Sequence, residues 1–115
     1  MAIHIKRVYD PASTADGCRV LVDHLWPRGL NKQQAKIDLW LKEIAPSTAL
    51  RQWFQHDPTK WREFKARYFR ELKHRAEEVH ALKERAGAGR LTLLYAAKDM
   101  EHNNAAALQE YLTKK

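Results

Sequence analysis

Cysteine is almost absent from this chain, and Cys18 is its single thiol. One cysteine excludes an internal disulfide and a cysteine-based zinc site, and it is typical of a protein in a reducing cytosol. Long hydrophobic runs are missing too, since no stretch reaches the roughly 20 apolar residues of a membrane span. Met1 begins a polar segment without a signal-peptide pattern. We therefore expect a cytoplasmic protein without membrane association.

Glycine and proline are scarce, with four of each in 115 residues, and no stretch is rich in glycine, proline or serine. The sequence has no internal repeat and no low-complexity segment. One domain usually spans roughly 100–150 residues, so residues 1–115 are predicted to form a single domain. Apolar residues make up 44% of the chain and aromatic residues 10%, which is sufficient for a buried core.

Positive charge is what the chain has in excess. It carries 21 lysine and arginine residues against 14 aspartate and glutamate residues, for a net charge of +7. Such an excess favours anionic partners, which include nucleic acids, phosphorylated metabolites and acidic proteins. The alternative is a solvated basic surface with no specific target.

Four segments have the apolar patterns of strands. They are predicted at residues 3–8, 19–25, 39–44 and 91–97. The second and fourth contain continuous apolar runs, which are typical of strands buried on both faces of a sheet. The third segment is also compatible with a helix.

Helical signals fall between and after these strands. Asn31 caps a short helix through residue 35, Ser47 caps a helix that residues 56–58 end, and Asn103 or Asn104 caps a last helix.

The clearest helical pattern extends from Trp61 to Leu82, where apolar residues recur at spacings of three and four. This spacing predicts one amphipathic helix of about 25 residues. Asp57 or Thr59 opens it, and it ends near residues 87–89.

The order of these elements predicts an α/β fold. We expect a single compact domain with a small parallel or mixed sheet flanked by helices, in a Rossmann-like three-layer arrangement. In open sheets of this kind, ligands bind beyond the carboxyl ends of the strands. Residues 23–29 and 96–104 both follow strands, so we expect these two loops to converge.

Asp23 is the candidate catalytic residue. A carboxylate at the end of an apolar strand is costly unless it is hydrogen-bonded, paired with a charge or used in chemistry. Asp23 would act as a general base or orient a ligand, and Arg28 would pair with it or bind an anion bidentately. The alternative is a structural anchor that fixes the loop.

Further candidate ligand contacts lie in the same predicted region. Lys98 precedes a helix N-terminus, where backbone N–H groups favour anions. Arg51 is a second anion ligand, or else its stem covers apolar surface. Trp26 precedes Pro27 in a turn and is predicted to line a pocket, whereas the other three tryptophans fit core packing.

The six histidines do not have the spacing of a metal motif. No pair combines the i, i+4 spacing with a carboxylate partner, so the sequence predicts no metal site. A site assembled in space from distant residues is the alternative.

Five segments form a pattern that extends over nearly the whole chain. They are residues 7–10 (RVYD), 19–29 (RVLVDHLWPRG), 40–47 (WLKEIAPS), 50–56 (LRQWFQH) and 92–99 (TLLYAAKD), followed by Asn103. In these segments the sequence resembles the YeaO-like family of small bacterial proteins, a domain of unknown function. It departs from the family pattern at His24, where arginine is usual, so the resemblance implies no fixed positive charge there.

The resemblance implies a compact cytoplasmic α/β domain whose motif residues gather around one cleft. The motif positions are Arg7, Asp23, Trp26, Arg28, Lys42, Ser47, Arg51, Tyr95, Lys98 and Asn103. It implies no particular activity, cofactor or oligomeric state.

Together these features favour binding or processing of a small anionic ligand, such as a phosphorylated or nucleotide-like compound, in this cleft. Arg28, Arg51 and Lys98 would neutralise its charge, and Trp26 and Tyr95 would form walls. One alternative is a nucleic-acid-binding module that uses the basic face of the long helix. Another is a protein-interaction domain in which the motif residues only stabilise loops.

Overall fold

Four parallel strands form one sheet in the computed structural model, which describes residues 2–114. The strands are β1 Ala2–Arg7, β2 Cys18–Leu21, β3 Leu39–Trp40 and β4 Arg90–Tyr95. Their spatial order is β1-β4-β2-β3, so the last strand of the sequence lies between the first two. The predicted α/β fold with a small sheet is confirmed, and the sheet is parallel.

Five α-helices accompany the strands within residues 2–114. They are α1 Lys32–Ala35, α2 Thr48–Phe54, α3 Trp61–Leu72, α4 Ala76–Ala88 and α5 Asn104–Thr113. The predicted caps Asn31 and Ser47 are confirmed, and Asn103 rather than Asn104 caps α5. None of the helices in this part of the chain is long and apolar enough to cross a membrane.

The two faces of the sheet are covered unequally. Helices α2 to α5 pack on one face against side chains such as Val20, Leu91 and Leu93. Ala35 of α1 and loop residues cover the other face, beside Leu94. This division follows from the strand order. The β2–α1–β3 connection leads toward the β3 edge of the sheet, whereas the connection from β3 to β4 returns toward the β1 edge. Right-handed crossovers in opposite directions lie on opposite faces.

The prediction of one helix of about 25 residues is wrong, because α3 and α4 are separated by a turn at residues 73–75. The N–H groups of His74 and Arg75 donate to the carbonyls of Glu71 and Leu72, three residues back, which ends α3. A straight helix of that length would extend about 38 Å, beyond the molecule's longest dimension of 35 Å. The turn allows α3 to pack on α2 and α5 while α4 packs on β4 and β1.

Two predicted strands extend four residues beyond the ends of the observed ones. The strand predicted at residues 19–25 ends at Leu21, because the chain leaves the sheet where Asp23 turns to bond the loop after β4. The strand predicted at residues 39–44 pairs only through Leu39–Trp40. Residues 42–44 instead form a 3₁₀ turn, which buries Ile44 in the larger core.

A buried ionic cluster of Lys6, Asp16 and Arg19 lies before and beside β2. Arg19 is 4% exposed, and its Nη1 is 2.6 Å from Asp16 Oδ2. Its other nitrogens donate to the carbonyls of Ala35 and Lys36 at 2.9 Å. Lys6 Nζ lies 3.2 Å from the same carboxylate. The cluster therefore anchors the end of α1 to the sheet.

Candidate functional site

Two loops that leave the sheet toward opposite faces meet at its carboxyl edge. Residues 22–31 follow β2 toward α1, and residues 96–103 follow β4 toward α5. Because β2 and β4 are neighbours, this is a topological switch point, where open α/β sheets usually bind ligands. The predicted convergence of the two loops is confirmed by a 2.8 Å hydrogen bond from Ala96 N–H to Asp23 Oδ2.

Asp23 holds these loops together through both oxygens of its carboxylate. Oδ2 accepts from Ala96, and Oδ1 accepts from Asn104 Nδ2 at 3.0 Å. Asn104 Nδ2 also donates to the carbonyl of Val22 at 3.0 Å. The Asp23 carbonyl accepts from Trp40 Nε1 at 2.8 Å. Asp23 is thus a positioning group first, since each oxygen already has a protein donor.

The surroundings of Asp23 act on its pKa in opposing directions. Burial raises the pKa of this carboxyl above its ordinary value. The hydrogen bonds from Ala96 and Asn104 and the positive charges of Arg51 and His56 oppose that shift without cancelling it. The carboxylate therefore faces two basic side chains that come from a different part of the chain.

A cavity of about 370 Å³ opens beside Asp23, and we call it the Asp23 cavity. Its volume lies within the usual range for small-molecule sites. Much of its wall is formed by aromatic and proline side chains, which are Trp26, Pro27, Pro46, Phe54 and Phe64. Its polar lining consists of Asp23, His24, Arg51, His56, Asn103 and Asn104. The aromatic side chains could pack against a planar apolar group of a ligand, and the basic side chains could bind an anionic group.

Arg51 supplies permanent positive charge to this cavity from the last turn of α2. Its Nε donates to the carbonyl of Pro46 at 3.2 Å, and its Nη2 donates to Thr48 Oγ1 at 3.1 Å. These bonds fix the plane of the guanidinium. Nη1 has no hydrogen-bond partner among residues 2–114, so its N–H groups are available to a ligand.

His56 reaches the cavity because α2 ends in an unusual backbone conformation. Gln55 and His56 have φ values of 48° and 56°, in the left-handed region that side chains other than glycine rarely adopt. Such conformations cost of order 1–3 kcal/mol each and persist where surrounding packing fixes them. The imidazole lies 6.2 Å from the Phe54 ring, at the cavity wall.

Four of the predicted site residues are brought together at the cavity: Asp23, Trp26, Arg51 and Asn103. Trp26 donates its indole N–H to the carbonyl of Leu30 at 2.6 Å, which fixes the ring in place. Asn103 Oδ1 caps α5 by accepting from Ala106 N–H at 2.8 Å. All four thus have their orientation fixed by protein contacts, and only Arg51 also keeps a nitrogen, Nη1, for which residues 2–114 supply no acceptor.

Arg7 and Tyr95 do not line the Asp23 cavity. Arg7 Nε and Nη2 donate to the carbonyls of Ala97 and Ala96 at 3.0 and 3.3 Å. Tyr95 is buried, and burial raises the pKa of its phenol. These two residues support the loop after β4, and direct ligand contact by them stays a prediction.

Lys42 and Ser47 line a second hollow of about 540 Å³, which we call the Lys42 groove. The hydroxyl of Ser47 donates to Glu71 Oε2 at 2.6 Å and accepts from Leu50 N–H at 3.1 Å. Ser47 therefore serves as a helix cap. Lys42 Nζ lies 5.2 Å from the centre of the Trp40 ring and remains accessible.

Arg28 and Lys98 are exposed and do not line the Asp23 cavity. Asp23 does not pair with Arg28, whose backbone carbonyl accepts from the Tyr9 hydroxyl at 2.9 Å. The ligand roles of Arg28 and Lys98 stay predictions.

Sequence reasoning assigned no ligand role to His56 or Asn104. The sequence predicts only a helix break at the His-Asp-Pro turn after α2, and only an alternative cap at Asn104. The sequence feature that could have indicated a ligand role for them is a polar side chain at the end of a helix that packs near the carboxyl edge of the sheet. That position can be recognised only when the topology of the sheet is known. In residues 2–114, no group of three or more histidine, cysteine or acidic residues is placed to hold a metal ion.

The fold and its cavity define a small parallel α/β domain with a candidate ligand site at the switch point of the sheet. A family model described as "Inactive DUF488-N3 subclade" matches residues 2–115. The chain is 45% identical over 112 residues to "Uncharacterized protein YeaO" of Escherichia coli (strain K12), covering 97% of each chain. It is 36% identical over 110 residues to "Uncharacterized protein Rv3073c" of Mycobacterium tuberculosis (strain ATCC 25618 / H37Rv), covering 96% of this chain and 92% of that protein.

The chain therefore belongs to the YeaO-like family, and the resemblance seen in its motifs is confirmed. No solved structure matches it.

Proposed function

We propose that this protein binds a small anionic, nucleotide-like ligand in the Asp23 cavity. The observation that carries the proposal is the Arg51 guanidinium beside an aromatic wall, which is fixed by two hydrogen bonds while its Nη1 has no acceptor in the described residues 2–114. A charge-assisted bond from arginine to phosphate is among the stronger protein contacts. The apolar side chains opposite it suit the planar base of a nucleotide.

The proposed role is binding without chemical conversion. Each oxygen of Asp23 accepts a protein hydrogen bond, and such bonds oppose protonation of the carboxylate and commit it to positioning the two loops. The description of the matching family model as an inactive subclade supports the same interpretation. Asp23 would act by keeping the loops after β2 and β4 in place.

The experiment is calorimetric titration of the protein with the 5′-monophosphates of adenosine, guanosine, cytidine and uridine, at low and high salt. We expect at least one to bind in both salts. Arg51→Met should weaken that binding about tenfold or more, because it removes a charge-assisted contact worth roughly 1.5–3 kcal/mol. Melting curves would verify that each variant is folded.

Arg85→Met is the matched control. It removes the same charge from an exposed side chain whose Nη1 contacts Cys18, at the opposite end of the sheet. Failure of all four nucleotides to bind the unmodified protein would contradict the proposal. Equal affinities of Arg51→Met and Arg85→Met would also contradict it.

Short oligonucleotides in the same titration distinguish the alternative of a nucleic-acid-binding helix. If that alternative holds, the affinity for oligonucleotides would decline steeply as the salt concentration rises, and Arg51→Met would leave it unchanged. Fewer basic side chains of α3 are available to a nucleic acid than the sequence predicts, because some of them pair with carboxylates. Arg67 of α3 pairs with Glu63, and Lys65 lies 3.1 Å from Glu110.

A further inference from the structure

The Asp23 cavity and the Lys42 groove are adjacent, because five residues line both of them. The shared residues are His24, Leu25, Trp26, Ala45 and Pro46. Leu25 is 68% exposed, which is unusual for a leucine and leaves apolar surface at the boundary of the two hollows. One elongated ligand can therefore contact both hollows across a shared, mostly apolar wall.

The Lys42 groove carries its own positive charge. Lys42 and Arg75 both line it, and both are exposed. The Arg75 guanidinium has no ion-pair partner within residues 2–114, and Arg75 lies at the turn between α3 and α4. Glu43 contributes one carboxylate to the same groove, against these two cations. The groove is thus net positive.

Two centres of positive charge are therefore separated by an apolar wall. Arg51 lies in the cavity, Lys42 and Arg75 lie in the groove, and the Trp26 ring lines both. A ligand that satisfies this arrangement carries two separate anionic groups and a planar, less polar group that lies against the shared wall. A single phosphate or a pyrophosphate lacks the planar group.

We propose that the ligand is a nucleoside phosphorylated at both its 5′ and 3′ positions, with one phosphate at Arg51 and the other between Lys42 and Arg75. This inference rests on the proposed function and specifies the ligand class of the same site. A free nucleoside 3′,5′-bisphosphate and the end of a 5′-phosphorylated dinucleotide share this chemistry.

The test compares the 3′,5′-bisphosphate with the 5′-monophosphate of each of the four nucleosides by calorimetric titration. We expect the bisphosphate to bind about tenfold or more tightly, since a second charge-assisted contact is added. In the double variant Lys42→Met, Arg75→Met the bisphosphate affinity should fall to that of the monophosphate. The monophosphate affinity itself should change less than about twofold, while Arg85→Met should leave both affinities unchanged.

Equal binding of bisphosphate and monophosphate by the unmodified protein would overturn the inference and leave the proposed function intact. A bisphosphate preference that survives the double variant would overturn it as well. Absence of binding by every nucleotide would overturn the inference together with the proposed function. A 5′-phosphorylated dinucleotide that binds more tightly than the bisphosphate would support it and identify an oligonucleotide end as the source.

Discussion

Strand β2 has an aspartate near each of its ends, and the two carboxylates have opposite surroundings. Asp16 precedes the strand and is enclosed by the side chains of Lys6 and Arg19. Asp23 follows the strand, bonds two loops and borders a cavity in which Arg51 Nη1 has no acceptor from the part of the chain that the structure describes. At Asp16 the protein satisfies its own charges, whereas at Asp23 part of the positive charge is left for a ligand.

The pKa shifts of the two carboxyls show the same contrast. Burial alone would raise the pKa of Asp16, but hydrogen bonds from Ser13, Lys6 and Arg19 outweigh it, so the pKa lies below 3.8. Burial prevails at Asp23, and its pKa lies above 3.8. Perturbed groups at a cleft are candidates for function, whereas a fully paired cluster is a structural feature.

The largest expected effect on stability comes from disrupting the paired cluster around Asp16. Arg19→Met should lower the free energy of unfolding by about 3 kcal/mol, because it leaves the carbonyls of Ala35 and Lys36 without their donor and removes one of the two cations that contact the buried Asp16 carboxylate. Urea denaturation measures this change. Nucleotide binding by the folded variant should persist, since Arg19 is remote from the Asp23 cavity.

Arg85→Met is again the control, with an expected loss under about 0.5 kcal/mol for an exposed side chain. If Arg19→Met cost as little as this control, the Asp16 cluster would not be the structural anchor described above.

A smaller effect is expected at the other end of the strand. Asp23→Asn should lower the free energy of unfolding by about 1 kcal/mol at neutral pH. The amide has one acceptor oxygen for two donors, which destabilises the fold, and removal of the buried charge offsets part of that loss. The pH dependence of the stability, compared with that of Asp16→Asn, separates the two sites. Urea denaturation between about pH 3 and 6 measures it.

The expected pH dependences have opposite signs. The lowered pKa of Asp16 stabilises the fold above pH 3.8, and this stabilisation is lost as the pH falls toward its folded-state pKa. The stability gap between the unmodified protein and Asp16→Asn should therefore shrink in acid. The raised pKa of Asp23 means that the folded state binds the proton more tightly, so the gap to Asp23→Asn should widen as the pH falls toward 3.8. Parallel pH profiles for the two variants would contradict the contrast.

Much of the fold follows from local sequence patterns. The buried run around Leu93 predicts a central strand because a parallel sheet covered on both faces needs apolar residues at consecutive positions. The break at residues 73–75 is different, since Leu72, Ala76 and Val79 keep helical spacing across it. Only the size of the molecule and the packing of α3 and α4 on different neighbours require the turn.

The candidate site was predictable where it depends on strand ends, and not where it depends on distant packing. Asp23 is conspicuous because it is a carboxylate directly after an apolar strand. His56 is not, because it reaches the cavity through the left-handed end of α2, whose position depends on the whole connection from β3 to β4. Arg28 follows Asp23 closely in sequence, yet it lies exposed in the turn of residues 27–30 and does not line the cavity.

The most direct test of ligand binding at the switch point is an amide chemical-shift map of the ¹⁵N-labelled protein titrated with the tightest of the four nucleoside monophosphates. The largest changes should fall on the backbone amides of Ala96, Ala97 and Asn104 and on the indole N–H of Trp26, which all belong to the cavity wall. Changes confined to the basic surface of α3, with the amides of this wall unmoved, would contradict the account.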